Sequence, residues 1–175
     1  TGTSNTGPSD DITGGGNYMY LEGSLPFPVG TQVSLLSECL DLSPLNDPCL
    51  TFDYHMYGAT MGTLDVVVNG DYLWSLSGDQ GDQWDTAQVS LSTYIGSSVT
   101  IEFVGTKGGP YSDMAIDNIS VNECLIYGCT DPTACNYDDT ATQDNGSCEY
   151  ALCADCSGVP NGTNVVDNCG TCDND

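Results

Sequence analysis

The cysteines are distributed unevenly along the chain, and their distribution constrains the fold more than any other feature. Ten cysteines occur in 175 residues, and eight of them follow residue 123. Apolar residues are sparse beyond that point, too few to build a core for about 50 residues, so covalent links must replace it. Such use of cysteine also indicates an oxidising compartment. We therefore predict two domains, a core-forming domain over residues 1–124 and a cysteine-braced region over residues 125–175.

The charge of the chain is extreme. Asp and Glu number 25 against a single Lys, for a formal net charge of −24 at pH 7. Nucleic acid is excluded as a partner because phosphate binding needs Lys and Arg, and no hydrophobic run is long enough for membrane insertion. Metal cations, glycans and other proteins remain as partners. Calcium is the expected cation, since it binds clustered Asp, Asn and backbone oxygens; the alternative is solubility in salt water, as in halophilic proteins.

Alternating apolar and polar residues predict strands in the first domain. Residues 49–57 alternate with period two, which is typical of a half-buried strand. The step Asn69-Gly70 lies between two apolar runs and predicts a tight hairpin. No segment has a convincing helical period, and many short strands with Gly and Pro turns favour an all-β sandwich. Further strands are predicted over residues 17–22, 32–36, 99–104 and 114–121.

Several motifs follow one another in the first domain. They are Thr6-Gly7-Pro8-Ser9-Asp10-Asp11-Ile12-Thr13, Gly16-Asn17-Tyr18-Met19-Tyr20-Leu21-Glu22, Tyr54-His55-Met56-Tyr57-Gly58, Gly62-Thr63-Leu64, Leu73-Trp74, Gly81-Asp82-Gln83-Trp84 and Asp113-Met114-Ala115-Ile116-Asp117-Asn118-Ile119. Through these motifs the domain resembles the MAM domain family. The resemblance implies an extracellular jelly-roll β-sandwich that serves in adhesion, receptor ectodomains or oligomer assembly and is not an enzyme by itself. The family normally begins with a further strand that these motifs lack. We expect either that this strand has been cut away or that a neighbouring molecule supplies it by strand donation.

The same resemblance implies a cation site in the first domain. It would lie between the loop that holds Asp11 and the strand that holds Asp117, with Asp113 and Glu22 as further ligands. Two carboxylates on facing strands repel each other unless a cation bridges them, which favours the site. The alternative is that Asp11 forms a turn and Asp117 faces water.

Disulfides are the expected state of the cysteines. Cys39 and Cys49 bracket a short loop, and the family resemblance implies that they pair with each other. The pairing of the other eight cannot be derived, because eight cysteines permit 105 connectivities. Zinc stays open as an alternative for two Cys-x-x-Cys pairs in the tail, but four thiolates in so acidic a chain favour disulfides. The eight are Cys124, Cys129, Cys135, Cys148, Cys153, Cys156, Cys169 and Cys172.

Short blocks rich in Cys and Asp fill the second domain. They resemble the repeats of secreted Bacteroidota proteins, which look similar to thrombospondin type 3 calcium repeats. The alternative is a disordered acidic spacer held by disulfides. Thr86 and Thr140 lie in Asp-Thr-Ala tripeptides that resemble a Bacteroidota O-glycosylation acceptor, which implies glycans there. The expected calcium ligands are Asp131, Asn136, Asp138 and Asp144 in a first set and Asp155, Asn161, Asp167 and Asp173 in a second.

The sequence favours binding over catalysis. It contains one His and no metalloprotease or phosphate-loop motif. We predict a secreted, non-catalytic, calcium-stabilised adhesion or assembly protein at the cell surface, a candidate fibre subunit that associates with itself or with other surface proteins. The alternative is a carbohydrate-binding accessory module of a larger secreted enzyme, with an exposed aromatic row around Trp74, Trp84 or Tyr111.

Overall fold

The computed structural model describes residues 4–24, 26–150, 155–159, 162–166 and 170–173. The chain divides into two compact units, Thr1–Cys124 and Leu125–Asp175. A short 3₁₀ helix spans Ser92–Tyr94, and in the described part of the chain no helix has the length and apolar character needed to cross a membrane. The strands of the first unit are β1 (Met19–Leu21), β2 (Gln32–Leu36), β3 (Leu40–Asp41), β4 (Pro48–Met56), β5 (Thr63–Val68), β6 (Asp71–Ser77), β7 (Asp85–Ser90), β8 (Ser98–Val99), β9 (Ile101–Thr106) and β10 (Met114–Glu123). Those of the second unit are β11 (Tyr127–Gly128), β12 (Gln143–Asp144), β13 (Val165–Val166) and β14 (Cys172–Asp173).

Two four-stranded antiparallel sheets and a short two-stranded sheet, β3-β8, form the first unit. The strand orders of the four-stranded sheets are β1-β10-β4-β7 and β2-β9-β5-β6. Phe52 of β4 is fully buried and meets Phe103 of β9 edge to face, with 4.9 Å between the ring centroids. Buried side chains of both sheets share one hydrophobic core, in which Leu50 and Met56 lie on the same face of β4 as Phe52. The predicted all-β sandwich is therefore confirmed.

The hairpin predicted at Asn69-Gly70 is present. It joins β5 to β6, and Asn69 and Gly70 have φ angles of 50° and 94°. Positive φ at both central residues is what a two-residue type I′ turn requires, because its twist matches that of the flanking strands. The Asn69 Oδ1 atom also accepts a 2.9 Å hydrogen bond from the backbone N–H of Thr100, which ties the turn to the residue before β9.

The cysteine pairing of the first unit differs from the one predicted. Cys49 forms its disulfide with Cys124, while Cys39 is free and exposed, so the predicted Cys39–Cys49 bridge is wrong. The reason is strand pairing: β4 lies beside β10 with Cys49 opposite Asn122, which leaves the Cα atoms of Cys49 and Cys124 4.8 Å apart. That separation suits a disulfide. Cys39 instead leads into β3, which pairs with β8.

Disulfides take the place of a core in the second unit. Cys129 bonds Cys148, Cys156 bonds Cys172, and Cys135 is also disulfide-bonded. The zinc alternative loses two of its four thiolates through the Cys156–Cys172 bond, whereas Cys153 and Cys169 lie outside the described residues. Among the hydrophobic residues described in this unit, Cys129 and Ala134 alone are buried. Covalent links must therefore supply most of the unit's stability.

Candidate interaction site

An apolar groove opens between the two sheets on the side of the sandwich where β1 and β2 lie. We call it the inter-sheet groove. Its two adjoining parts have volumes of about 220 and 410 Å³ and share Leu35 and Phe103. Its first part is also lined by Met19, Leu21, Val33, Met114 and Ile116, and its second by Leu36, Glu38, Leu40, Ile119 and Val121.

Large apolar side chains at the mouth of this groove reach solvent. The exposed fractions are 52% for Met19, 56% for Val33, 62% for Leu36 and 42% for Ile119. Scattered apolar residues on a surface need no explanation, but these four are contiguous along one groove. A contiguous apolar surface of this kind marks a place where another molecule can bind.

The backbone beside the groove is incompletely paired. On one side of β10, β4 follows it as far as Glu123, whereas on the other side β1 pairs only with residues 114–116. Over residues 117–123, none of the strands in the described ranges pairs with β10 on the β1 side. β2 is likewise an edge strand of its own sheet. Such edges present backbone N–H and C=O groups to which a further strand can bind.

Asp11, predicted as a cation ligand, closes its own loop. Its Oδ1 atom accepts a 2.7 Å hydrogen bond from the backbone N–H of Gly16, and its Oδ2 atom accepts hydrogen bonds from the hydroxyl and the N–H of Thr13. These bonds, chiefly that from the Thr13 hydroxyl, lower the pKa of Asp11. Both oxygens thus already have donors, so a turn is present at Asp11, while cation binding there stays a prediction.

The other three predicted ligands of that site also accept hydrogen bonds from the protein. Asp113 is fully buried and accepts a 2.7 Å hydrogen bond from the N–H of Gly23. Asp117 accepts one from the N–H of Asn118, and Glu22 accepts bonds from Ser24. In the residues that the structure describes, no three Asp, Glu, His or Cys side chains converge in a way that could hold a metal. Calcium binding at these residues stays a prediction.

The acidic side chains of the second unit stabilise turns. Asp131, Asp138, Asp144 and Asp155 each accept a hydrogen bond of 2.8 to 2.9 Å from the backbone N–H two residues ahead. Bonds of this kind lower the pKa of Asp131, where the N–H of Thr133 contributes most. Asn136 links the chain to the backbone of Ser147 and Glu149. Of the second predicted set, Asn161 and Asp167 lie outside the described residues, as does the side chain of Asp173.

The two tryptophans are half-buried, Trp74 against the core of the sandwich and Trp84 beside His55 on the polar face of β4. Trp74 meets Phe52 with 5.3 Å between ring centroids. Trp84 packs against Tyr18 and donates a 3.1 Å hydrogen bond from its Nε1 atom to the carbonyl of Asp10. The exposed aromatic row that would favour a glycan reader is therefore not formed by these two rings. Tyr111 is 42% exposed.

The two candidate glycosylation residues are both exposed. The hydroxyl of Thr86 donates to Asp53, and that of Thr140 donates to Asp138. Glycan attachment at either hydroxyl would break the corresponding hydrogen bond, and it stays a prediction.

His55 is a feature that the alternating pattern of β4 does not reveal. It occupies the polar face of the strand, yet it is only 2% exposed, because Trp84 and Tyr57 pack against it. Its Nε2 atom lies 3.3 Å from the carboxylate of Asp82. Burial lowers the pKa of His55 below its ordinary value of 6.5, and the opposing effect of Asp82 is smaller.

The stability of the chain should therefore fall as the pH drops below about 6.5. The unfolded chain takes up a proton at His55 before the folded chain does, so this loss ends once the pH passes the lowered pKa of the folded state. His55→Gln should flatten this part of the profile, which urea unfolding between pH 7.5 and 5 would measure. His55 is the single histidine of the chain, so parallel profiles for the two proteins would contradict the assignment.

The first domain is similar in sequence to known proteins. Residues 1–125 match the family model "MAM domain, meprin/A5/mu". "MAM domain-containing glycosylphosphatidylinositol anchor protein 2" of Mus musculus is 38% identical over 138 residues, covering 69% of this chain and 14% of that protein. "Neuropilin-1" of Xenopus laevis is 34% identical over 151 residues, covering 80% of this chain and 15% of that protein. The chain thus spans a small part of these relatives, and it belongs to the MAM domain family.

Proposed function

We propose that this chain is an extracellular, non-catalytic module for adhesion or assembly. The observation that carries the proposal is the inter-sheet groove, an exposed apolar surface beside an incompletely paired strand. A surface of this kind binds a partner without providing reactive groups. Family membership supports the role, since a relative is named for a glycosylphosphatidylinositol anchor, a device that holds proteins at the outer cell surface. The disulfides support an extracellular location, because thiols stay reduced in the cytosol.

The finer role is that of a subunit in a calcium-stabilised surface fibre. The charge supports it: the one Lys, Lys107, is only 8% exposed and donates a hydrogen bond to the carbonyl of Phe27. The surface therefore carries almost no fixed positive charge to offset its carboxylates, and a compact body with this charge repels itself and its neighbours. Divalent cations at the acidic turns of the second unit would reduce this repulsion and permit subunits to pack.

The size distribution of native protein, released from the cell surface without chelator, tests this function. We expect large particles in millimolar calcium that dissociate in EDTA. A matched sample in EDTA with added sodium chloride separates calcium binding from general charge screening. If the particles form again in sodium chloride, charge screening is their cause; if they do not, calcium binding is required. A protein that stays monomeric in both calcium and EDTA would contradict the assembly function.

A further inference from the structure

We propose that the inter-sheet groove accepts one extended segment of a different polypeptide, with apolar and cationic side chains in alternation. This segment adds a strand to β10 in the place that β1 leaves open. The inference rests on the proposed function, because it names the class of partner at the same site. Three features of the groove carry it: the free backbone edge, the apolar lining and the acidic surroundings.

The free edge of β10 requires the bound segment to have an extended backbone. β1 lies antiparallel to β10 but pairs only with residues 114–116, and among the described residues no strand continues this row beside residues 120–123, which follow the irregularity between Asp117 and Ser120. A strand of about four residues fits along that length. Strand addition satisfies the unmet backbone groups of the edge by main-chain hydrogen bonds, whatever the sequence of the added segment.

The lining of the groove determines the character of the inward-pointing side chains of the bound segment. In a strand added to β10, every second side chain points between the two sheets. There it meets Leu35 and Phe103, which line both parts of the groove. It also covers Val33 and Ile119, which are 56% and 42% exposed. These inward positions must therefore be apolar.

The charges around the groove determine the character of the outward-pointing side chains of the bound segment. Intervening side chains point to the outer face of the sheet, where Asp117 of β10 lies opposite Asp53 of β4. Cationic side chains complement these carboxylates. A second copy of this chain is the poorer occupant, because it carries a net charge of −24 and a single, buried Lys.

The test uses the full chain and probe peptides of about seven residues. The first probe alternates Lys and Val, the second has the same composition with its Val residues in one block, and the third alternates Glu and Val. We expect the first to bind at least about tenfold more tightly than either of the others and to slow hydrogen exchange at residues 120–123. Equal binding of the first two, or no protection of this edge, would overturn the proposal.

Variants at the groove mouth provide the second arm. Ile119→Ser and Val33→Ser together should weaken binding of the first probe by about tenfold. Ile95→Ser is the matched control, since Ile95 is 50% exposed and does not line the groove; it should bind as the parent chain does. Self-association of the chain that is lost in the groove variants would identify a second copy as the occupant and overturn the proposal. Calcium-dependent native particles without probe binding would overturn this inference and leave the proposed function standing.

Discussion

Removing the Cys49–Cys124 disulfide, as in the double variant Cys49→Ala/Cys124→Ala, is expected to lower the free energy of unfolding by about 4 kcal/mol. The bridge joins residues 75 positions apart, so it removes much of the conformational freedom of the unfolded chain. It also ties the start of β4 to the end of β10, and Cys49 is buried at 3% exposure. Urea unfolding followed by tryptophan fluorescence would measure the loss, because both tryptophans lie in this unit.

Cys39→Ala is the matched control for this result. Cys39 is a free, exposed cysteine, so its replacement should change the unfolding free energy by less than about 0.5 kcal/mol. A loss on replacing Cys39 as large as that of the double variant would contradict the Cys49–Cys124 pairing and favour a Cys39–Cys49 bridge, because both variants would break that bridge.

Phe52→Ala is expected to cost about 3 to 5 kcal/mol, because it leaves a cavity at the centre of the sandwich. The ring is fully buried between the sheets and contacts Phe103, Trp74 and Tyr54. Phe27→Ala is the control: its side chain is 56% exposed, and Lys107 binds its backbone carbonyl, which the substitution keeps. Similar losses for the two variants would contradict the described core.

Local patterns in the sequence were sufficient to predict the β-sandwich fold. The alternation of residues 49–57 depends on neighbours two positions apart, and it predicted the buried face of β4 that holds Phe52. The turn at Asn69-Gly70 depends on two adjacent residues, and it predicted the β5–β6 hairpin. Both are properties of a short stretch of chain. Tertiary packing kept the predicted apolar face of β4 buried, but it also buried Asp53 and His55 on the opposite face, so the strand is not half-buried as predicted.

The sequence patterns did not predict features that depend on residues far apart in the chain. Cys49 pairs with Cys124 because β4 and β10 are adjacent in the sheet, whereas nearness in sequence had suggested Cys39. His55 is buried because Trp84, from another segment, packs against it. The groove depends on how far β1 extends along β10, which no local pattern encodes.

The acidic motifs could not be interpreted from the sequence for a different reason, which is that one residue pattern is typical of two roles. Asp-rich loops are typical of calcium sites, yet the same residues are typical of turns, because a carboxylate can accept the backbone N–H two residues ahead. Asp131 and Asp138 both form such turns. Sequence patterns cannot separate the two roles, since both place Asp oxygens beside closely spaced backbone groups.

The inter-sheet groove is the place where we propose that this chain binds its partner. Hydrogen exchange of the native assembly, compared with the isolated chain, tests this most directly. We expect the amides of residues 120–123 at the open edge of β10 to exchange more slowly in the assembly, while those around Ile95, away from the groove, stay unchanged. Equal exchange at the β10 edge in the two samples would contradict the account.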